Sequence, residues 1–312
     1  MSMDQIWRVK HFLAAAEVGS VQGAARSLNI SQPSLSKSLR LLEEHLQATL
    51  FDRSARGVVL TPMGQVFYRR ARQIQSEWDS SLIELSATRD GAQGELRVGM
   101  GPTYAVVFMR RVLAQLARDY PNLRVSVRTG VGALLIPALQ AGEISLYAGG
   151  LGTFEEENPG EGLDEVFLYD QSNCIVASRD SVLATQDEVA VAELARHPWV
   201  MLSYDSIAME QIVRLFRSAG MAPPRTTVSA QSLNLALELV RHDGFLTSLP
   251  HPLVHPDINP QLSPLNVRGY EWTIRSGVTY RRSMRTLSPV KAMLAMLKQD
   301  VARLGFGRVG IN

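Results

Sequence analysis

Cysteine is almost missing from this chain. Cys174 stands alone among 312 residues, so no internal disulfide can form, and no Cys/His cluster carries zinc-ligand spacing. Its setting, Asn173-Cys174-Ile175-Val176-Ala177, reads as a buried strand and the thiol as core rather than redox sensor. His242, His251 and His255 are scattered among prolines and read as surface or packing residues. No apolar run approaches the ~20 residues that span a bilayer. The amino terminus lacks the charged, apolar, then small-residue pattern of an export signal, so a cytoplasmic protein that does not bind membranes is expected. A nucleophile–base pair, a metal cluster and a cofactor loop are all missing; Gly99-x-Gly101 is too short for a dinucleotide motif. An enzyme therefore has no foothold, and neither a metal nor a cofactor is expected.

What is present is unevenly distributed. The chain carries a net charge of +2. Residues 1–72 hold ten Lys/Arg against five Asp/Glu, a local charge of +5, which leaves −3 for the remainder. A basic amino-terminal segment on a near-neutral chain suits a polyanionic partner. The length allows a small domain plus one or two larger ones.

The basic segment contains the most informative stretch, residues 20–42. Ser20 fits an N-cap, and Val21, Ala24, Ala25 and Leu28 recur at helical spacing. The small Ala24 and Ala25 permit a close helix crossing. Asn29 tolerates the left-handed conformation that ends a helix. Ser31 then caps a second helix with Pro33 in its first turn. Leu35, Leu39 and Leu42 form its buried stripe, leaving Gln32, Ser34, Lys37 and Ser38 outside. Gln can pair with an adenine edge, and Lys with guanine or phosphate. This is a helix-turn-helix, with double-stranded DNA as the leading partner. Downstream, Asp52 to Thr61 reads as two short strands turning at Arg56-Gly57, a wing whose Arg53 and Arg56 would meet phosphates.

Residues 12–67 resemble the winged helix-turn-helix of LysR-type transcriptional regulators. The matching pieces are Phe12-Leu13, Gly19-Ser20, Ala24-Ala25, Ser31-Gln32-Pro33-Ser34-Leu35-Ser36, Leu42-Glu43, Leu50-Phe51-Asp52-Arg53 and Leu60-Thr61-Pro62-Met63-Gly64. The resemblance implies DNA contacts at Ser31, Gln32, Pro33, Ser34, Ser36, Lys37, Arg53 and Arg56. Gln47 stands where the family usually has glycine, which puts the helix end and the wing angle at issue.

A long helix is expected over residues 63–89. Phe67, Ala71, Ile74, Trp78, Ser81 and Leu85 follow a 4-3-4-3-4 spacing, which fits either a coiled-coil seam or a helix packed on its own domain. The resemblance favours the seam and implies a helix that pairs two subunits. Residues 89–94 read as a hinge.

The rest alternates strands and helices. Strands are expected at 95–100, 123–128 and 144–148, with helices near 106–120 and 134–141. A second set begins near Val166, with strands 174–178, 199–202, 226–229 and 245–248 and helices 191–195, 207–219 and 232–242. The chain returns with strand 272–280 and helix 288–304. Such alternation implies a largely parallel sheet. Glu155-Glu156-Glu157 reads as a solvated acidic loop.

The fold class is thus α/β: a winged helix-turn-helix (1–62), a linker helix (63–90) and a two-lobed, periplasmic-binding-protein-like effector domain (91–312). Lobe I covers about 92–165 and 267–312, and lobe II about 166–266. Ligands bind such sheets at the carboxyl ends of the strands, between the lobes.

Gly94-Glu95-Leu96-Arg97-Val98-Gly99, Gly130, Leu139 to Ile144, Pro198-Trp199-Val200 and Leu249-Pro250 also resemble the LysR effector domain; Ser145 replaces its usual aspartate. The resemblance puts ligand-facing positions at Thr103, Gly132, Gly149-Gly150, Ser203, Ser206 and Thr247. Thr103 suits either a ligand contact or a helix cap. No Arg sits at an obvious strand end, although Arg225 and Arg275 could approach, so a small organic anion or a neutral polar molecule fits. An exported solute-binding protein would need no DNA-binding module, and a DNA-architectural protein would leave more than two hundred residues idle. The resemblance further implies a homotetramer, a dimer of dimers on a bent promoter, with RNA polymerase as a further partner.

Overall fold

The computed structural model describes residues 3–54, 57–87, 94–152 and 162–306. Three helices open the chain: α1 (Met3–Val18), α2 (Val21–Ser27) and α3 (Gln32–Leu46). Strands β1 (Phe51–Ser54) and β2 (Gly57–Leu60) pair antiparallel as the wing. Phe12 centres the core, its ring 5.1 Å from Phe51 and 5.0 Å from Phe67. Ala24, Ala25, Leu35, Leu39 and Leu42 complete it, as their spacing requires.

The turns follow the sequence chemistry. Ser20 accepts from Gly23 N–H at 3.3 Å to cap α2. Asn29 adopts φ +54° after α2. Gln47 takes the glycine-like role itself: with φ +49° it caps α3, and Ala48 N–H reaches back to the Glu43 carbonyl. The helix thus ends where a glycine would end it. A Glu43 carboxylate oxygen then accepts from Leu50 N–H at 2.8 Å and Phe51 N–H at 3.2 Å, anchoring β1. Gly57 has φ +128°, and a Cβ there would lie 2.3 Å from the Gly19 carbonyl oxygen. Val58 N–H donates to that oxygen at 2.9 Å, docking the wing on the α1–α2 turn.

Helix α4 (Pro62–Ala87) starts at the Thr61 cap, whose hydroxyl accepts from Gly64 N–H at 2.9 Å. The expected seam divides along it. Phe67 and Ala71 pack into the amino-terminal core. Ile74, Trp78 and Ser81 instead line grooves shared with Ile6 and Trp7 of α1, and Leu85 is exposed. The expected hinge, apart from Gly94, and the acidic loop at residues 155–157 lie outside the described residues.

Lobe I holds β3 (Gly94–Met100), a π-helical turn (Tyr104–Phe108) running into α5 (Met109–Asp119), β4 (Leu123–Thr129), α6 (Gly132–Gln140) and β5 (Leu146–Gly150). β6 (Leu163–Ser178) then leads into lobe II. There the order is α7 (Val191–Leu194), β7 (Trp199–Leu202), α8 (Ser206–Ser218), β8 (Thr226–Ala230), α9 (Leu233–His242), β9 (Thr247–Pro250) and β10 (Leu262–Leu265). β11 (Trp272–Arg281) returns to lobe I, which α10 (Ser288–Arg303) completes.

The sheet is mixed, not largely parallel. β3 pairs in parallel with β4 and β5, but β11 runs antiparallel to both β5 and β6, and β9 and β10 run antiparallel to β6. The reason is topological: β6 leaves lobe I and β11 comes back beside it, so they must oppose each other. β6, at roughly 3.3 Å per residue, is about 50 Å long and serves both lobes. The crossing lies later than residues 166 and 267. Val166, Leu168 and Tyr169 pack with lobe I, whereas Val267 and Tyr270 pack with lobe II.

Beyond the crossing, β6 alternates its side chains. Ile175 and Ala177 face the α7–α8 side; Cys174 and Val176 face the α9 side. Cys174 is a core thiol, 3.7 Å from the Leu249 carbonyl, and burial pushes it up to about 12. α4 is tied to lobe I by polar contacts. Arg97 pairs with Asp79 at 3.2 Å, Gln73 donates to the Gln140 carbonyl at 3.1 Å, and Ser283 meets Glu77 at 3.0 Å. Burial raises the Asp79 carboxyl, with the Gln75 hydrogen bond and Arg97 opposing.

Candidate functional site: recognition helix and interlobe cleft

The first turn of α3 is an exposed polar surface. Ser31, Gln32, Pro33 and Ser34 are exposed in succession, and Lys37 follows. Ser31 is committed to its own helix: its hydroxyl accepts from Ser34 N–H at 3.3 Å and lies 2.7 Å from the Ser34 hydroxyl. Gln32 and half-buried Ser36 share one face, a turn apart. Ser38, expected on the outside, is half-buried and meets His11 Nδ1 at 2.8 Å; it belongs to the α1–α3 contact. Arg53 lies on β1 opposite Val58. Its side chain, and Arg56 altogether, lie outside the described residues.

The second site is a cavity of about 250 Å³ between the lobes. Lobe I contributes Thr103, Gly132, Gly149 and Gly150, all expected there; lobe II contributes Ser206, also expected. Thr103 already lies in the helix, only 5% exposed, and makes no capping hydrogen bond. Two expected residues fall elsewhere. Ser203 is exposed on a neighbouring groove beside Gln231 and Asn234. Thr247 is fully buried (0%) at the start of β9, opposite Val176. The strand begins and ends two residues later than its apolar pattern suggested. Its carboxyl end is therefore Leu249-Pro250, and those residues do line the cleft.

Sequence reasoning missed the cleft's central residues. Gln171 and Asn173 of β6 and Trp272 and Ile274 of β11 line it where the two long strands cross, with Asn173 opposite Trp272 and Gln171 opposite Ile274. A signal was there: the polar run 170–173 interrupts two apolar stretches of one strand. Tyr104 and Tyr147 line it too. The Tyr104 hydroxyl lies 3.0 Å from the Ser276 hydroxyl, which donates to the Gly149 carbonyl at 3.4 Å. Burial pushes the Tyr147 and Tyr204 phenols up to about 12, so both are neutral donors near neutral pH.

The only acid among the described lining residues is Asp205, which caps α8 by accepting from Ala208 N–H at 3.0 Å. Burial raises its carboxyl, and that hydrogen bond partly offsets the effect. Arg225 and Arg275 do not line the cleft; Arg275 is exposed, its guanidinium 5.4 Å from the Phe167 ring. Among the described residues no cluster of His, Cys, Asp and Glu suits a metal, and no helix is long and apolar enough to cross a membrane.

Comparison with known proteins covers both halves of the chain. The family described as "Bacterial regulatory helix-turn-helix protein, lysR family" matches residues 6–65, and "LysR substrate binding domain" matches residues 89–302. The chain is 30% identical to the HTH-type transcriptional regulator TfdS of Cupriavidus pinatubonensis and 31% identical to TdfR of the same organism. Each match covers 96% of this chain and 98% of the relative. Among solved structures, Corynebacterium glutamicum OxyR (C206 mutant) matches at 26% identity with a TM-score of 0.53, over 96% of this chain and 93% of that one. Full-length CbnR complexed with its target DNA shares the fold at 22% identity, with a TM-score of 0.62 over 96% and 99%. Its relatives are regulators and not enzymes, and the chain itself belongs to the LysR family of bacterial transcriptional regulators, with a DNA-binding helix-turn-helix and a domain for a small-molecule effector.

Proposed function

We propose that this regulator reads an interrupted palindrome with two copies of α3 and changes its grip when a small molecule enters the interlobe cleft. The observation that carries the DNA reading is the exposed first turn of α3, where Gln32 stands free of intramolecular duties beside the Ser31 cap. In this reading Gln32, Ser36 and Lys37 meet base edges, and Ser31, Pro33 and Ser34 fit against the backbone of the groove. Arg53 and Arg56 meet phosphates across the wing.

Pairing of subunits is supported by apolar surface on α1 and α4: Trp7 is 56% exposed, Leu82 is exposed, and Ile74 and Trp78 line the grooves between them. Two such pairs form a tetramer that bends the promoter and alters access for RNA polymerase, in the cytoplasm. Thr103, Gly132, Gly149 and Ser206 contact the effector. Coupling between the two functions is supported by β3. Arg97, which holds α4 through Asp79, lies on β3, and Gly101 of the cleft directly follows that strand. Closure of the lobes on a ligand then pulls on the linker helix.

The test is selection of genomic DNA fragments by the purified protein at near-physiological salt, followed by sequencing. Enrichment of a few promoters sharing an interrupted palindrome is expected. Uniform enrichment, or none, overturns base reading by α3.

A further inference from the structure

Among the described residues that line the cleft there is no Lys, Arg or His, and the one acid is Asp205. The α8 N-terminus is already answered by that carboxylate. The helix after β3 begins at Pro102, which has no N–H to give. Neither α6 nor the helix after β3 starts with a side-chain cap, and at α6 this leaves the N–H groups of Gly132 and Ala133 for a ligand oxygen.

The cleft does hold a matched pair of amides. Gln171 and Asn173 are i and i+2 on β6, so both face the same way. Each is 6% exposed. Gln171 Oε1 accepts from the Tyr169 hydroxyl at 3.2 Å, and Asn173 Nδ2 donates to the Gln171 carbonyl at 3.4 Å. That leaves Gln171 Nε2, a donor, and Asn173 Oδ1, an acceptor, without a protein partner on residues that line the cleft. Neither is sealed off in the interior. Trp272 and Ile274 stand opposite them on β11.

We propose that the effector is an uncharged molecule with a flat, apolar body and an amide-like group, and that carboxylates are rejected. The donor and acceptor of the amide pair answer the C=O and N–H of such a group. The apolar wall at Trp272, Ile274 and Ile207 takes its body, within about 250 Å³, the share of roughly eight waters. A carboxylate buried here loses its hydration with only uncapped backbone N–H groups and no cation among the described lining residues to replace it, and Asp205 repels it. This rests on the cleft being the effector site.

Isothermal titration calorimetry on the full-length protein tests it with isosteric pairs: benzamide and benzoate, phenylacetamide and phenylacetate, indole-3-acetamide and indole-3-acetate. Benzylamine serves as the cationic arm. Each amide binds at least about tenfold more tightly than its acid or the amine. Gln171→Leu and Asn173→Leu each weaken the amides about tenfold and leave the acids where they were. Ile207→Trp, at an exposed position on the cleft wall, abolishes binding of every probe; thermal melting shows that each variant is folded. An acid or the amine binding as tightly as the amides, and lost in Ile207→Trp, overturns the ligand class while the cleft stands. Binding that survives Ile207→Trp moves the effector site elsewhere and overturns both. Failure of every amide to bind at millimolar concentration overturns the proposal.

Discussion

Residues 31–37 gather the candidate DNA contacts into about two turns of one helix, whereas the cleft draws its lining from residues 101 to 274. The first surface is built by local rules. A cap, a proline and a leucine stripe leave one polar edge outside. The second exists only because β6 and β11 cross side by side and bring three helix N-termini over them. Charge separates the two halves as well: the amino-terminal segment carries a net charge of +5, and the cleft has no basic residue among its described lining. One half is adapted to a polyanion that arrives from outside, the other to a molecule that must leave water. Single truncations should therefore act sharply in the first half and mildly in the second.

The largest effect should come from breaking the proposed subunit pairing. Trp78→Glu puts a charge into the groove between α1 and α4. It should weaken self-association by at least about 2 kcal/mol, seen in sedimentation velocity as a shift to smaller species. An unchanged distribution would detach α4 from pairing. Next comes base reading. Gln32→Ala should cost about 1–3 kcal/mol on a selected site and much less on scrambled DNA, in fluorescence anisotropy. Arg53→Ala should weaken both and lower the salt slope by about one. Equal losses for Gln32→Ala on both DNAs would contradict base reading.

The cleft should answer more softly. Thr103→Val removes one hydroxyl among many contacts, so ligand affinity should fall by about 1 kcal/mol, read by calorimetry with whichever probe fills the cleft. A loss of several kcal/mol would mean that the cleft is as concentrated as the recognition turn. The smallest effect is on stability. Gln47→Gly relieves a left-handed non-glycine residue and should stabilise the amino-terminal domain by about 0.5–1 kcal/mol, a rise of a few degrees in its melting temperature. A fall would show that the Gln47 side chain contributes more than its backbone costs.

Legibility in the sequence followed the same division. The caps at Ser20, Ser31 and Thr61, the left-handed Asn29 and the leucine stripe of α3 were readable, because each depends on neighbours within one or two turns. Ser38 was misplaced because its partner, His11, comes from another helix. In the effector half the apolar runs mark most strands and helices, but not β10, and they mark only the end of β6. The apolar pattern ends β9 two residues too early, which puts Thr247 in the cleft. In a four-residue strand, that error is the difference between the core and the site.

What the sequence determined by itself is the recognition helix, the wing, the linker helix and the alternation of elements. Those rest on periodicity, capping and turn chemistry, all of which act over a few residues. Only the tertiary structure decided the direction of the sheet, where the chain crosses between lobes and which side chains meet in the cleft. Gln171 and Trp272 are about a hundred residues apart in the chain, yet both line the cleft. The pairing of β6 with β11 makes them neighbours, and that register is selected by burial of both lobes at once rather than by either segment alone.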